Sequence, residues 1–295
     1  MKPCVFTGSA VAIVTPFCSG SIDLEAFDRL VERQIQGGTD AIVVCGTTGE
    51  AATLSFDERM ALIERCVRTA DHRVPVIAGS GTNNTASSIA LSKAAQSAGV
   101  DALLTVTPYY NKASQSGLVH HFSAIADAVD IPVILYNVPS RTGVSCTAQT
   151  YQTLAEHPNV VGVKEASDDF DLIQDTFNLC PPDFTVWSGN DGSTTAIMAL
   201  GGKGVISVAA NVVPREMHEL TQLCLENRFW EAGQLQLKLH ELIRALFCEV
   251  NPIPVKAAME MLGLCSGDLR LPLCRISAHH FEQLSHSLEP YQPAI

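Results

Sequence analysis

The sequence predicts a (β/α)8 TIM barrel with a C-terminal helical appendage. Eight short apolar runs recur along the chain, and amphipathic stretches separate most of them. The runs are apolar almost without interruption, which is typical of parallel strands buried on both faces. Eight strand–helix units within about 220 residues fit the size of this barrel. The runs cover residues 8–17, 40–50, 74–81, 101–110, 131–139, 160–167, 184–191 and 204–211.

The stretches between the runs have helical periodicity. In residues 24–38 and 55–70, apolar side chains recur at intervals of three and four residues, as expected of helices with one buried face. An open, doubly wound sheet is the competing architecture, but no GxGxxG motif follows the first run. The barrel is therefore the favoured interpretation.

The pattern changes after residue 211. No strand-like run follows, and the segment "NPIPVKAAM", which begins at Asn251, opens a further helix after its prolines. We expect residues 1–225 to form the barrel and residues 226–295 to form a smaller helical domain packed on it.

Composition and charge limit the classes of function. The 295-residue chain is 46% hydrophobic and 17% charged, which suits a globular protein with a large core. Its net charge of −12 argues against binding to nucleic acid or to an anionic membrane. No apolar stretch approaches the roughly 18 residues of a membrane span, and Gly8, Thr15 and Pro16 interrupt the apolar N-terminus. We therefore expect a cytoplasmic protein without a signal peptide.

The cysteines and histidines indicate neither disulfides nor a metal site. The chain has ten cysteines and no CxxC pair, and Cys45, Cys66, Cys146 and Cys224 have apolar or helical neighbours, so we expect reduced core thiols. The histidine pairs at 120–121 and 279–280 are adjacent in sequence. Neighbours on a helix do not share a face, so these pairs would chelate a metal poorly. We expect neither a metal nor a cofactor.

Polar and aromatic residues follow six of the eight predicted strands. In a barrel of this type the active site lies at the carboxyl ends of the strands. We therefore expect these groups to converge on one site. They are "GTTGE" at 46–50, "TPYY" at 107–110, "YNVPSRTG" at 136–143, "KEAS" at 164–167, "SGND" at 188–191, and Ile206.

Lys164 closes an otherwise apolar run, although lysine is costly to bury. One interpretation is structural: the amine reaches solvent or pairs with Glu165. The other is chemical, because burial in apolar surroundings favours the neutral amine, whose lone pair can attack a ketone. The resulting Schiff base, once protonated, accepts electrons from a carbanion. The polar and aromatic residues predicted at the other strand ends favour the chemical interpretation.

Such chemistry needs a proton shuttle and groups that bind the substrate. Tyr136 ends the preceding run and is the natural general acid–base group, unless it is an ordinary half-buried tyrosine. Thr47 and Thr48 lie in a glycine-flanked turn whose backbone N–H groups suit a carboxylate, although an ordinary strand–helix turn has the same composition. Arg141, five residues after Tyr136, offers a planar fork for a second carboxylate, unless it is a surface arginine.

With these residues in place, the chain resembles the dihydrodipicolinate synthase family of pyruvate-dependent class I aldolases. The resemblance runs almost from end to end, from "TGSAVAIVTPF" to "NPIPVKAAM". It is carried by "GTTGE", "TVTPYYN", "YNVPSRTG" and "GVKEAS", which occur in the family's order and spacing. The first and third of these motifs are the more specific.

The resemblance implies a role for each matching residue. Lys164 would form the Schiff base with pyruvate, and Tyr136 would donate the proton. Thr47 and Tyr110 would complete the relay, with Tyr110 coming from a neighbouring subunit. The remaining matches would bind substrate: Thr48 and the backbone of Ile206 would contact pyruvate, and Arg141 would bind L-aspartate 4-semialdehyde. Gly189 would be a further substrate-binding residue.

The resemblance also implies an assembly and a pathway. Family members are typically homotetramers built as pairs of tight dimers, and their reaction belongs to lysine and diaminopimelate biosynthesis. Two alternative functions remain at this point. One is another aldolase on the same scaffold, an N-acetylneuraminate lyase or a 2-keto-3-deoxy sugar-acid aldolase; Arg141 together with Thr47 and Tyr110 favours the synthase. The other is a non-catalytic barrel, which the presence of Lys164 and Tyr136 disfavours.

One departure from part of the family concerns regulation. Relatives that lysine inhibits are expected to have a small hydroxyl residue and two histidines after "GTTGE", and a glutamate on the helix after the third strand. This sequence has Ala51, Phe56, Arg59 and Ser87 at those positions. Asn83 and Tyr109 are retained, but they are neutral. We therefore expect an enzyme that lysine does not inhibit.

Overall fold

The computed structural model describes residues 1–291 and contains a closed barrel of eight parallel strands. The first strand pairs with both the eighth and the second, which closes the barrel and confirms the predicted fold class. The strands are shorter than the apolar runs, because each run continues into the loop that follows its strand. The strands are β1 Gly8–Ala12, β2 Ala41–Val44, β3 Val76–Gly79, β4 Ala102–Val106, β5 Val133–Asn137, β6 Val160–Glu165, β7 Thr185–Ser188 and β8 Gly204–Ser207.

Twelve helices are present in the described part of the chain. The helix that follows each strand packs outside the barrel, and α9 closes the ring by packing against β1. A small antiparallel hairpin, Phe17–Cys18 with Ser21–Ile22, follows β1. The helices are α1 Leu24–Gln36, α2 Phe56–Ala70, α3 Thr85–Ser97, α4 Gln115–Ala126, α5 Pro139–Thr142, α6 Ala148–Leu154, α7 Phe170–Leu179, α8 Thr194–Ala199, α9 Pro214–Leu225, α10 Phe229–Ala245, α11 Ile253–Met261 and α12 Ala278–Leu288.

Two hydrophobic cores hold the barrel together. The inner core fills the barrel with side chains from alternate strand positions, so the barrel is packed rather than hollow. Phe6 stacks on Trp187 there, with ring centres 5.1 Å apart and planes 18° apart. The outer core lies between the strands and the helices and is much larger. Cys45, Cys66, Cys146 and Cys224 are buried free thiols, as predicted.

The helices after residue 225 pack onto the barrel without a separate core. Leu239, Leu242 and Val255 belong to the same buried cluster as the outer faces of the strands. The end of α9 at Leu225 coincides with the predicted boundary. The division into domains 1–225 and 226–295 stays a prediction. Within residues 1–291, no helix is both long and apolar enough to cross a membrane.

Candidate active site

Lys164 and Tyr136 lie side by side at the carboxyl ends of two neighbouring strands. The register of β5 and β6 pairs the two residues directly. Nζ of Lys164 lies 4.4 Å from the centre of the Tyr136 ring. Both side chains are buried, with 5% and 6% of their residue surfaces exposed. The sheet therefore fixes an amine against a phenol ring in an enclosed place.

The proposed structural partner of Lys164 is engaged elsewhere. Successive residues of a strand point to opposite faces, so Glu165 points away from the lysine. Its carboxylate accepts hydrogen bonds from the Tyr151 hydroxyl at 2.7 Å, from Asn137 Nδ2 at 3.0 Å and from the Ser167 N–H at 2.9 Å. Burial raises the pKa of Glu165, and these hydrogen bonds oppose the rise. Among residues 1–291 Lys164 forms no salt bridge, so the interpretation as an ion pair with Glu165 is wrong. The carboxylate on which the charge of Lys164 acts is that of Asp191, where it opposes the rise in pKa caused by burial.

A cavity of about 310 Å³ opens beside this pair. Thr47, Tyr136 and Arg141 line it, so three of the predicted site residues meet there. Lys164 does not line the cavity, but it packs against Tyr136, which does. Much of the remaining wall comes from two places: the turn after β2, and the segment before α11.

The "GTTGE" turn directly follows β2 and is held by its own backbone. The Gly49 N–H donates to Gly46 O at 3.1 Å, and the Glu50 N–H donates to Thr47 O at the same distance. Glu50 has a positive φ of 54°, a conformation that few residues other than glycine adopt. Thr47 faces the cavity, whereas Thr48 is 2% exposed and lies outside the lining.

Arg141 occupies the short helix α5 that follows β5. It is exposed overall, lines the cavity, and donates from Nη2 to the backbone oxygen of Asn251 at 3.0 Å. This contact leaves the rest of its guanidinium group available for a second partner. A cationic fork at the cavity wall suits a carboxylate.

Two predicted substrate-binding residues lie outside the cavity wall. Ile206 is fully buried in the inner core on β8, so only its backbone could contact a ligand. Gly189 follows β7 and donates its N–H to Glu165 O at 2.6 Å. A Cβ at this glycine would lie 2.6 Å from the Cβ of Ala166, so no larger residue fits without displacement. Neither residue lines the cavity.

Tyr110 is the one predicted catalytic residue that points away from the site of its own chain. It is 89% exposed, has a φ of 73° and does not line the cavity, whereas its neighbour Tyr109 does. Within residues 1–291 no hydrogen bond joins the hydroxyls of Thr47, Tyr136 and Tyr110. The predicted three-residue relay is therefore not assembled within one chain.

Three buried polar residues near the site were not singled out from the sequence. Asp191 is 1% exposed and accepts from the Val208 and Ala209 N–H groups at 3.0 Å each, while burial raises its pKa. Asn251 and Lys256 both contact the "GTTGE" turn. Two motifs could have indicated them: "SGND", which places Asp191 after a strand, and "NPIPVKAAM", which places Asn251 and Lys256 at the start of a helix. Across residues 1–291, no group of three or more metal-ligating side chains is assembled.

An eight-stranded barrel with a buried strand-end lysine against a tyrosine is the arrangement of a class I aldolase-type enzyme. The chain matches the dihydrodipicolinate synthetase family over residues 5–290, and it belongs to that family.

Individual relatives are similar to this chain over almost its whole length. The 4-hydroxy-tetrahydrodipicolinate synthase of Acetivibrio thermocellus is 47% identical over 291 residues, which cover 99% of each chain. A crystal structure of dihydrodipicolinate synthase from Aquifex aeolicus has 46% identity and a TM-score of 0.96, covering 97% of this chain and 98% of that one. A structure described as the first monomeric dihydrodipicolinate synthase variant has 44% identity and a TM-score of 0.95, covering 97% and 96%.

Proposed function

We propose that this enzyme condenses pyruvate with L-aspartate 4-semialdehyde through a Schiff base on Lys164, in lysine and diaminopimelate biosynthesis. Family membership over residues 5–290 supports the reaction. The observation that carries the residue assignment is the buried pair of Lys164 and Tyr136, with Nζ 4.4 Å from the ring centre. A buried amine that forms no salt bridge among residues 1–291 suits a nucleophile better than a structural role.

The proposed chemistry begins with attack of the Lys164 lone pair on the ketone carbon of pyruvate. The carbonyl electrons move to oxygen, which takes up protons and leaves as water while the C=N bond forms. The protonated imine then draws electrons from the adjacent C–H bond as the methyl group loses a proton. The resulting enamine attacks the aldehyde carbon of the second substrate, and the aldehyde oxygen gains a proton. The amino group that came with the second substrate then attacks the imine carbon, the bond to Nζ of Lys164 breaks, and the lysine is free again.

Tyr136 is the proposed group that delivers and removes these protons. It contacts Lys164 on one side and the cavity on the other, so it can serve both the forming imine and the incoming aldehyde. Thr47 and a Tyr110 from a neighbouring subunit are the proposed remainder of the relay. The exposure of Tyr110 supports its insertion into another chain.

The two carboxylates are assigned to two different groups. Thr48 and the backbone of Ile206 are proposed to bind the carboxylate of pyruvate. Gly189, whose N–H already donates to Glu165 O, is proposed to contact substrate without donating to this carboxylate. Arg141 is proposed to bind the carboxylate of the aldehyde at the cavity wall. This separation lets the enzyme bind the two anionic substrates at two distinct places.

A homotetramer of two tight dimers in the cytoplasm is the proposed setting. Phe56, Tyr110 and Leu271 are large side chains that are at least half exposed, and a subunit interface is one place where such side chains are covered. The ten free thiols suit a reducing compartment.

Substrate assays separate the proposed reaction from the alternative aldolases. The purified enzyme is incubated with pyruvate and L-aspartate 4-semialdehyde, and in parallel with pyruvate and N-acetylmannosamine. We expect turnover only with the aldehyde. Turnover with pyruvate and N-acetylmannosamine, but not with the aldehyde, would identify the enzyme as an N-acetylneuraminate lyase instead.

Subunit mixing tests the crossing of Tyr110. Tyr110→Phe and Tyr136→Phe are each expected to be nearly inactive alone. In a tight dimer of one chain of each kind, the chain that retains Tyr136 receives an intact Tyr110 from its partner. Random mixing after dissociation should therefore restore about a quarter of the sites. Absence of any recovery in mixed dimers would place Tyr110 outside the partner's site.

A further inference from the structure

Asn251 contacts two of the proposed substrate-binding residues at once. It precedes α11 and is 5% exposed. Its side-chain Nδ2 donates to Oγ1 of Thr48 at 3.0 Å, and its backbone oxygen accepts from Nη2 of Arg141 at 3.0 Å. Thr48 lies after β2 and Arg141 after β5, so Asn251 connects two loops that are distant in sequence.

A second contact holds the same segment against the "GTTGE" turn. Five residues after Asn251, Lys256 donates from Nζ to Oε1 of Glu50 at 2.8 Å and to the backbone oxygen of Thr15 at 2.9 Å. The side chains of Lys256 and Glu50 are both fully buried. Removing one partner of a buried ion pair leaves the other charge uncompensated and strongly destabilises the folded protein. This pair therefore fixes the segment before α11 against the "GTTGE" turn.

The hydrogen bond to Thr48 determines what that hydroxyl can offer. The amide NH2 of asparagine only donates, so Oγ1 of Thr48 is the acceptor. The hydroxyl proton of Thr48 is then free to be donated to another group. A hydroxyl oriented as a donor suits a carboxylate, which only accepts.

We infer that Asn251 is a positioning residue that presents the Thr48 hydroxyl as a donor to the carboxylate of pyruvate. This inference rests on the proposed function, in which pyruvate is the first substrate. Asn251 also lines the cavity, and the role inferred for its side chain is exerted through Thr48. Oδ1 of Asn251 is buried and has no hydrogen-bond partner among residues 1–291, so the described hydrogen bond of this side chain is the one that Nδ2 donates to Thr48.

Two substitutions test separately whether the hydrogen bond to Thr48 is needed and whether Asn251 must be its donor. Asn251→Ala removes the hydrogen bond and leaves the backbone oxygen for Arg141. Asn251→Asp has nearly the same shape, but its carboxylate only accepts, so Thr48 must donate to it and its proton is no longer free. Asn159→Ala is the matched control. Asn159 donates to the backbone oxygens of Ala126 and Val129 just before β6, at the opposite end of the barrel.

The experiment measures the pyruvate concentration that gives half-maximal borohydride trapping, together with KM for each substrate. For Asn251→Ala we expect half-saturation to rise roughly fivefold or more, as the loss of one hydrogen bond implies. KM for the aldehyde should change less. Asn251→Asp should raise half-saturation at least as much, and Asn159→Ala should leave it unchanged.

The outcomes distinguish this inference from the proposed function. Wild-type enzyme that is not trapped by pyruvate would overturn both. Wild-type trapping with unchanged half-saturation in Asn251→Ala or Asn251→Asp would overturn the inference alone. So would an equal rise in KM for both substrates, because that result indicates a general structural role. If Asn251→Ala does not fold, Asn251→Asp gives the decisive comparison, since it conserves the side-chain shape.

Discussion

Nζ of Lys164 lies 4.4 Å from the centre of the Tyr136 ring, and the two residues are direct neighbours in the register of β5 and β6. Both belong to strands rather than loops, so hydrogen-bonded backbone on either side fixes their separation. Groups mounted on rigid elements retain catalytic geometry better than groups on mobile loops. The amine and the phenol are therefore positioned before any substrate arrives.

Replacing Tyr136 by phenylalanine should retain the fold and lower turnover by roughly 100-fold or more, the usual contribution of a general acid–base group. The ring that packs against Lys164 remains, while the hydroxyl that carries the proton is lost. Steady-state kinetics with circular dichroism as a fold control gives the answer. Near wild-type turnover would remove Tyr136 from the mechanism.

Replacing Arg141 by alanine should impair use of the aldehyde more than binding of pyruvate. A charge-assisted hydrogen bond contributes about 1.5–3 kcal/mol, so KM for the aldehyde should rise by about 10- to 100-fold. Arg215→Ala, at an exposed position on α9, is a surface control. Equal losses for both substrates would instead identify Arg141 as a structural residue that holds Asn251.

Millimolar lysine should not inhibit the enzyme. Phe56 and Ser87 are exposed, and neither can supply the carboxylate that an ammonium group requires. Arg59 donates to Ala51 O and carries a positive charge that opposes a cationic ligand. Each lost charge-assisted contact lowers the affinity for lysine by about 10- to 100-fold, so the loss of several should make binding too weak for inhibition at millimolar lysine. Saturable inhibition of the pure enzyme by lysine would contradict this expectation.

Acid should weaken the contact between Glu58 and Arg270. The hydrogen bond from Arg270 lowers the pKa of Glu58 to about 2, below the value of about 4.3 expected in the unfolded chain. A lowered folded-state pKa gives stability that is present above the unfolded value and is lost as the pH falls towards 2.

Substitution of Glu58 by glutamine tests this contribution. Wild-type enzyme should lose about 1 kcal/mol more free energy of unfolding between pH 6 and pH 3 than Glu58→Gln, allowing for solvent screening of a partly exposed pair. Glu64→Gln, on the exposed face of the same helix, is the control and should follow the wild type. Parallel acid profiles for wild type and Glu58→Gln would contradict the prediction.

The barrel could be predicted because its strands are buried on both faces and therefore have continuous apolar runs. Lys164 stood out for the same reason: a charge at the end of such a run contradicts its surroundings. The strand ends were predicted too late, because apolar residues such as Val14 continue the run after β1 has ended at Ala12.

Asn251 and Lys256 could not be assigned from local sequence. Their partners, Thr48 and Glu50, lie more than 200 residues earlier, and only the closed barrel brings them together. The position of Tyr110 has a similar cause, because its proposed partners belong to another chain. Periodicity and strand-end position identify which residues are unusual, whereas long-range packing decides what they contact.

The most direct test of the central claim is the mass of the intact protein after incubation with pyruvate and borohydride. Wild-type enzyme should gain the mass of one reduced pyruvate adduct per chain, and a peptide map should locate it at Lys164. Lys164→Ala should gain none, because among residues 1–291 no other lysine lies against the Tyr136 ring. An adduct of equal yield in Lys164→Ala, or an unmodified wild-type enzyme, would contradict the account.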